Sequence, residues 1–227
     1  MANSTDNLYA VIAEDYGQLM NHFDYEAWAA RFEAVTKISH GASILDVACG
    51  TGTLTALLAM RGYTVSGMDI SENMLTAAKQ AYPQIIWQQQ SIENFSVDTQ
   101  LDAIVCCLDG LNHLPDIETL RCALCCIKNA LKPGGIFFFD MLTPDHYSSL
   151  ENKLFSSKGK SMRLKWTCHI NEDICRYDFI IKHKRTKTKL SQQQLIIRDI
   201  DTELTRAGFS VVSSEHENGR RYIGCVV

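Results

Sequence analysis

The chain has no long apolar run. Nothing in its 227 residues approaches the roughly 20 consecutive apolar positions of a membrane-spanning helix. It has no secretory pattern at its start, because Met1 to Asp6 is short and polar. It has no excess of positive charge. A formal net charge of -4 argues against a general nucleic-acid binder, though not against a local basic patch. Its nine cysteines are an odd number, and Cys49, Cys106, Cys107 and Cys125 sit inside apolar runs. Reduced thiols in a cytoplasm are the expected state. Cys122-Ala-Leu-Cys125-Cys126 has a CxxC spacing, but it lies in a helical pattern (Leu120, Leu124, Ile127, Leu131) without a second ligand pair. No metal site is expected there. Internal repeats, linkers and low-complexity segments are also missing.

What is present is an ordinary globular composition, 46% hydrophobic and 21% charged, in a chain long enough to bury a large core unaided. Residues 1–40 read as a helical cap. Leu8, Val11, Ile12, Tyr16, Leu19 and Met20 recur at helical spacing, as do Trp28, Phe32 and Val35. From Ser43 the pattern alternates. Strands are expected at Ile44–Ala48, Tyr63–Asp69, Gln84–Gln89, Leu101–Cys107 and Ile136–Asp140, and helices at Thr53–Met60, Ser71–Ala81 and Ile117–Leu131. Short strands separated by helices imply a parallel sheet covered on both faces, doubly wound by right-handed crossovers. Residues 143–160 read as a polar loop, followed by strands Arg163–Ile170 and Ile174–Lys184 and a third at Leu195–Ile197. A helix Asp199–Arg206 and a hairpin of Phe209–Ser214 with Tyr222–Val227 close the chain. The expected fold is α/β, a Rossmann-like seven-stranded sheet with one antiparallel strand. Residues 41–142 and 198–227 form it, and 143–197 make a β-rich insertion after the fifth strand.

The stretch Ile44-Leu-Asp-Val-Ala-Cys-Gly50-Thr-Gly52-Thr-Leu-Thr55 reads as strand, glycine turn and helix. Glycines let the backbone approach a bound group, and the helix start offers unpaired N–H groups. Asp69 ends the second strand roughly 20 positions later, where a carboxylate accepts hydrogen bonds from ribose hydroxyls. A dinucleotide fingerprint would place a third glycine where Thr55 stands, and no basic residue near the turn meets a pyrophosphate. A nicotinamide or flavin oxidoreductase is therefore the weaker reading.

Asp46-Val-Ala-Cys-Gly50-Thr-Gly52, Gly67-Met-Asp69-Ile-Ser, the block from Asp102 to His113, and Leu131-Lys-Pro-Gly-Gly135 follow one another in order. Together they resemble the class I S-adenosylmethionine-dependent methyltransferases over roughly residues 40–142. Tyr16-Gly-Gln-Leu-Met20 and Tyr25-Glu-Ala-Trp28 are similar to a small-molecule subgroup with N-terminal capping helices and an antiparallel lid. The resemblance implies S-adenosylmethionine as cofactor and S-adenosylhomocysteine as product. It implies that Asp46 orders the turn and that Ala48, Cys49 and Gly50 lie along the methionine portion, with Gly52 near the turn. Asp69 would hold the ribose, with Ile70 and Met74 beside the adenine. The family's acidic residue near the adenine amine is replaced here by the Gln89-Gln90-Ser91-Ile92 neighbourhood, so Ser91 and Ile92 are the candidates. Cys107 and Leu108 would face the sulfonium, and Tyr16, Trp28 and Tyr9 would close over the cofactor.

Methyl transfer needs a base only if the acceptor carries a proton. His113 and Asp109 are the catalytic candidates, with Asn112 between them in the chain; His146 and Tyr147, which start the segment after the fifth strand, are expected to face the same pocket. The expected acceptor is a small-molecule amine or hydroxyl, and the expected assembly a monomer or homodimer. The basic run Lys182, Lys184, Arg185, Lys187 and Lys189 reads first as a solvated edge. An RNA or protein methyltransferase using that strand, or a non-catalytic cofactor-binding protein, are the alternatives.

Overall fold

A computed structural model describes residues 4–227, with side chains described from residue 8. Two helices open the chain, α1 (Ser4–Leu19) and α2 (Tyr25–Thr36). The alternating part follows as β1 (Ser43–Val47), α3 (Thr53–Met60), β2 (Thr64–Asp69), α4 (Glu72–Ala81), β3 (Ile86–Gln89), β4 (Leu101–Cys106), α5 (Ile117–Ala130) and β5 (Leu131–Leu142). After α6 (Pro144–Leu150) come β6 (Leu154–Lys158), β7 (Met162–Asn171), β8 (Ile174–His183) and β9 (Thr186–Leu195). The chain closes with α7 (Ile200–Ala207), β10 (Ser210–Glu217) and β11 (Arg220–Val226).

The large sheet has the order β10-β11-β5-β4-β1-β2-β3. β1 pairs in parallel with both β2 and β4, and β11 runs antiparallel to β5 and β10. Strand order therefore reverses between β1 and β4, which opens a crevice at their carboxyl ends. The central strands are apolar almost throughout because both faces are covered. Phe137, Phe138 and Phe139 are all buried, each contributing on the order of 1.5–3 kcal/mol. One face packs on Trp28, Phe32, Leu54 and Leu58 of α2 and α3; the other packs on Leu120, Leu124, Ile127 and Leu204 of α5 and α7. Local signals set the helix starts. Asp24, Ser71, Asp116 and Asp199 each accept a backbone N–H three residues ahead.

Two expectations are corrected. Residues 143–160 are not a loop but contain α6 and β6. Thr143 caps α6 and Pro144 opens it, yet only Tyr147 of that helix is buried, so its sequence carries little apolar periodicity. The strand expected at Leu195–Ile197 instead runs from Thr186 to Leu195. It is an edge strand with exposed residues over 186–189, so its paired backbone, rather than apolar side chains, defines it. Lys187 stands opposite Lys182 and Lys189 opposite Ile180 on the solvated side of this second sheet, whose order is β6-β7-β8-β9.

The inner side of the second sheet is held to α1. Leu8, Ile12 and Leu19 pack with Met162, Leu164 and Ile181. Asp15, 1% exposed, accepts from Lys160 N at 2.5 Å, Ser161 N at 3.1 Å and Ser161 Oγ at 2.5 Å. Its carboxyl lies below the ordinary range: burial opposes the charge, and the Ser161 hydroxyl and the two backbone donors outweigh it. Asp15→Ala strands those donors and should cost about 1–3 kcal/mol in denaturant unfolding. Wild-type stability from this group should fall as pH drops through its lowered pKa, and the variant should lack that component.

Candidate active site

The carboxyl ends of β1, β2 and β4 open onto one cavity of about 1150 Å³, measured out through its mouth. Its walls come from the turn after β1 (Ala48 to Thr51), the end of β2 (Asp69, Ile70), Met74 of α4, the Gln90–Glu93 segment, and Cys107, Leu108 and His113 after β4. Tyr9, Tyr16 and Tyr25 close it from the helical cap.

The backbone is strained where the strands end. Ala48 has φ 55°, Leu108 φ 58° and Asp109 φ 53°, left-handed conformations that cost a non-glycine residue about 1–2 kcal/mol. Such strain persists where surroundings over-determine it. At β1 the support is Asp46, whose Oδ2 accepts from Thr55 Oγ1 at 2.6 Å, and Asp69, which accepts from Gly50 N and Ser71 N, both at 2.8 Å. Gly52 has φ 78°, and a Cβ there would overlap the Trp87 ring. That glycine is required by its backbone and by close approach together.

At β4 the support is Asp140, wholly buried at the end of β5. Its carboxylate accepts from Leu108 N at 2.9 Å, Asp109 N at 3.1 Å and Trp28 Nε1 at 2.6 Å. Arg220 of β11 pairs with Asp140 and, at 2.8 Å, with Asp109 Oδ1. Burial pushes the Asp140 carboxyl up, and Arg220 opposes it. For Asp109 burial works in the same sense, but Arg220 and His113 outweigh it and its carboxyl lies below the ordinary range.

His113 ends a single 3₁₀ turn, Gly110–His113, and meets β9. Gln192 Nε2 lies 2.6 Å from its Nδ1, Gln194 Nε2 3.0 Å and the Tyr9 hydroxyl 3.2 Å from its Nε2, with Asp109 Oδ2 at 3.6 Å. Gln194 also donates to Asp109 Oδ2 at 3.0 Å and accepts from the Tyr147 hydroxyl at 3.1 Å. A neutral imidazole accepts at one nitrogen only. Amide nitrogens face both ring nitrogens, Gln192 at Nδ1 and Gln194 at Nε2, so in either neutral tautomer the ring accepts from one of them only.

Most sequence candidates meet at this cavity. Tyr16, Asp46, Ala48, Cys49, Gly50, Asp69, Ile70, Met74, Ser91, Ile92, Cys107, Leu108 and His113 all line it. Trp28, Gly52 and Asp109 are not among the lining residues. Trp28 is fully buried against Phe138 and Asp140, so it anchors α2 rather than closing over a ligand. Gly52 sits one step back as the N-cap of α3. Asp109 is turned toward Arg220 and Gln194. Tyr147 and His146 do not line the cavity either. Glu93 lines the cavity just past Ser91, which donates to it, so a carboxylate does stand beyond β3, later in the chain than expected. Asp140, Gln192, Gln194 and Arg220 carried no motif. The only hint was a lone carboxylate closing an apolar strand. Burial pushes the Cys49, Cys106 and Cys107 thiols well up, which leaves them inert rather than nucleophilic. Among the described residues no helix is long and apolar enough to cross a membrane, and no cluster of three or more potential ligands could hold a metal.

Residues 44–135 match the model of a methyltransferase domain family. A methyltransferase relative from Geobacillus sp. (strain WCH70) is 33% identical over 171 residues, 71% of this chain and 68% of that protein. "Putative methyltransferase YqeM" of Bacillus subtilis (strain 168) is 38% identical over 142 residues, 59% of this chain, and the match spans only 55% of its own length. Among solved structures, an S-adenosylmethionine-dependent methyltransferase from Clostridium acetobutylicum ATCC 824 superposes with a TM-score of 0.82 at 22% identity, covering 97% of this chain and 99% of that one. CalS10, an amino pentose methyltransferase from Micromonospora echinaspora, gives 0.74 at 18% identity, covering 91% and 92%. With the sheet order and the strand-end site, these findings establish that the chain belongs to the class I S-adenosylmethionine-dependent methyltransferases. The two solved structures, at these identities, speak to its fold.

Two outcomes follow from the buried carboxylates. Asp140→Asn breaks the pair with Arg220 and should lower stability by about 3–5 kcal/mol in denaturant unfolding. Burial pushes the Asp46 carboxyl up to about 7. Between the unfolded and folded values the native state holds the extra proton, so this group's contribution shrinks as pH rises. Wild type should therefore lose stability relative to Asp46→Asn between about pH 4 and about pH 7, read from paired unfolding curves without ligand.

Proposed function

We propose that this protein transfers a methyl group from S-adenosylmethionine to a small-molecule amine or hydroxyl. The observation that carries the reading is the convergence of Asp46, Asp69 and His113 on one cavity at the strand-order switch. The residues present suit the cofactor. Asp69 has the chemistry for ribose hydroxyls, and Ile70, Met74 and Ile92 give an apolar bed for a base. Asp46 Oδ1 is buried with no hydrogen-bond partner among the described residues, a carboxylate oxygen suited to an ammonium group. Glu93 or Gln90 suits an exocyclic amine. The bound cofactor would supply an electrophilic methyl on a sulfonium.

The chain's share is positioning, exclusion of water and handling of the acceptor's proton. Cys107 and Leu108 form an uncharged wall beside the reacting centre. With the Gln192 amide oxygen turned to an N–H at Nδ1, Nε2 of His113 becomes the basic nitrogen. Asp109 Oδ2, 3.6 Å away, then stabilises the imidazolium. Asp109, held by Arg220, acts as a positioning residue, and β9 forms the acceptor-side wall through Gln192 and Gln194. The division into a cap over 1–40, a core of 41–142 with 198–227, and an acceptor-binding insertion over 143–197 belongs to this reading, as does a cytoplasmic setting with reduced thiols. The amino pentose methyltransferase likeness supports an amine as the first acceptor class to try.

Calorimetric titration with S-adenosylmethionine should give saturable binding that Asp69→Ala weakens about tenfold or more, the loss of one charge-assisted contact. No binding by folded wild type would sink the cofactor assignment. With an amine acceptor, His113→Gln should lower kcat about 100-fold, within the usual range for loss of a general base, and leave cofactor affinity unchanged. An unchanged kcat–pH profile in that variant would remove His113 as the base.

A further inference from the structure

Cys168 of β7 and Cys175 of β8 are both fully buried, and their sulfurs lie 2.7 Å apart, inside ordinary sulfur–sulfur van der Waals contact. In the ladder Cys168 stands opposite Tyr177 and Cys175 opposite Ile170, so the two are diagonal neighbours on the inner face of the second sheet. We propose that this dithiol is an oxidation site, converted reversibly to a disulfide by a hydroperoxide. It is independent of the methyl-transfer reading.

The step balances with hydrogen peroxide as oxidant. One sulfur, written here as Cys168, attacks one peroxide oxygen as its own S–H proton passes to the departing oxygen, the O–O bond breaks, and a sulfenic acid and one water form. Cys175 sulfur then attacks Cys168 sulfur, the S–O bond breaks, and the hydroxyl leaves as a second water with the Cys175 proton. Both sulfurs are oxidised and the peroxide is reduced. Burial pushes both thiols up, as it does Cys49, Cys106 and Cys107, so the first attack is slow; what sets this pair apart is the second sulfur in contact, placed to resolve a sulfenic acid as soon as it forms. A water-sized oxidant suits a site with no exposed surface.

A bridge here would tie β7 to β8 at one diagonal pair. That tie lies one ladder step from the site. Cys175 stands directly opposite Gln194, which meets Asp109 and His113. Tyr147 packs in the same cluster and donates to Gln194.

The full-length reduced chain is treated with hydrogen peroxide, its remaining thiols are alkylated under denaturing conditions, and the digest is mapped by mass spectrometry. The expected product is a peptide pair linked through Cys168 and Cys175, lighter by two hydrogens and restored by dithiothreitol. Cys175→Ser should hold Cys168 at the sulfenic stage, trapped by a dione reagent; the native-chain result stands alone if that variant does not fold. Recovery of both thiols in reduced form, while the exposed Cys122 and Cys125 have oxidised, would overturn the proposal.

Discussion

The carboxylate of Asp140 is the contact on which the rest of this site depends. It sits near the end of β5 and gathers three donors and one guanidinium from three separate parts of the chain. Two of the donors are the backbone N–H groups of Leu108 and Asp109, consecutive residues in left-handed conformation. Those conformations are unfavourable alone, and a buried anion whose remaining lone pairs need partners holds them in place. The third donor, Trp28, draws α2 onto the sheet. Arg220 extends the charge to Asp109 and thereby fixes the orientation of a second carboxylate beside His113.

Charge distribution follows from this arrangement. Asp140 and Asp109 are two buried negative charges served by one buried arginine, with His113 close to the outer of the two. The surplus negative charge lies on the side of the imidazole. At the opposite wall Asp46 has a buried oxygen without a partner among the described residues, and burial pushes its carboxyl up to about 7. A cation in the cavity would lower that pKa and bring the second oxygen into use, so ligand binding and the ionisation of Asp46 are linked through one atom.

How legible the molecule was in its sequence depended on whether the signal was local. The glycine turn, the strand ending at Asp69 and the capping residues Ser71 and Asp116 occur where the residue pattern indicates, because backbone conformation and helix ends are short-range demands. Met74, Ile92 and Cys107 line the cavity as their strand and helix positions imply. Trp28 shows the limit of that reasoning. Its position on a helix face was readable, but its partner lies 112 residues away. The segment over 143–160 reads as a loop because α6 buries one residue and β6 none, so neither carries periodic apolar positions.

The sequence by itself determined the alternation of strands and helices, the crevice at the β1 turn and the carboxylates that bound it, since each is encoded within a few residues. Only the tertiary structure decided which groups surround His113. Gln192, Gln194, Tyr9 and Arg220 come from β9, α1 and β11, and no periodicity in the chain ties them to residue 113. They meet because the second sheet folds back on α1 and because β11 inserts beside β5. A buried polar group must find its partners wherever the packed elements bring them.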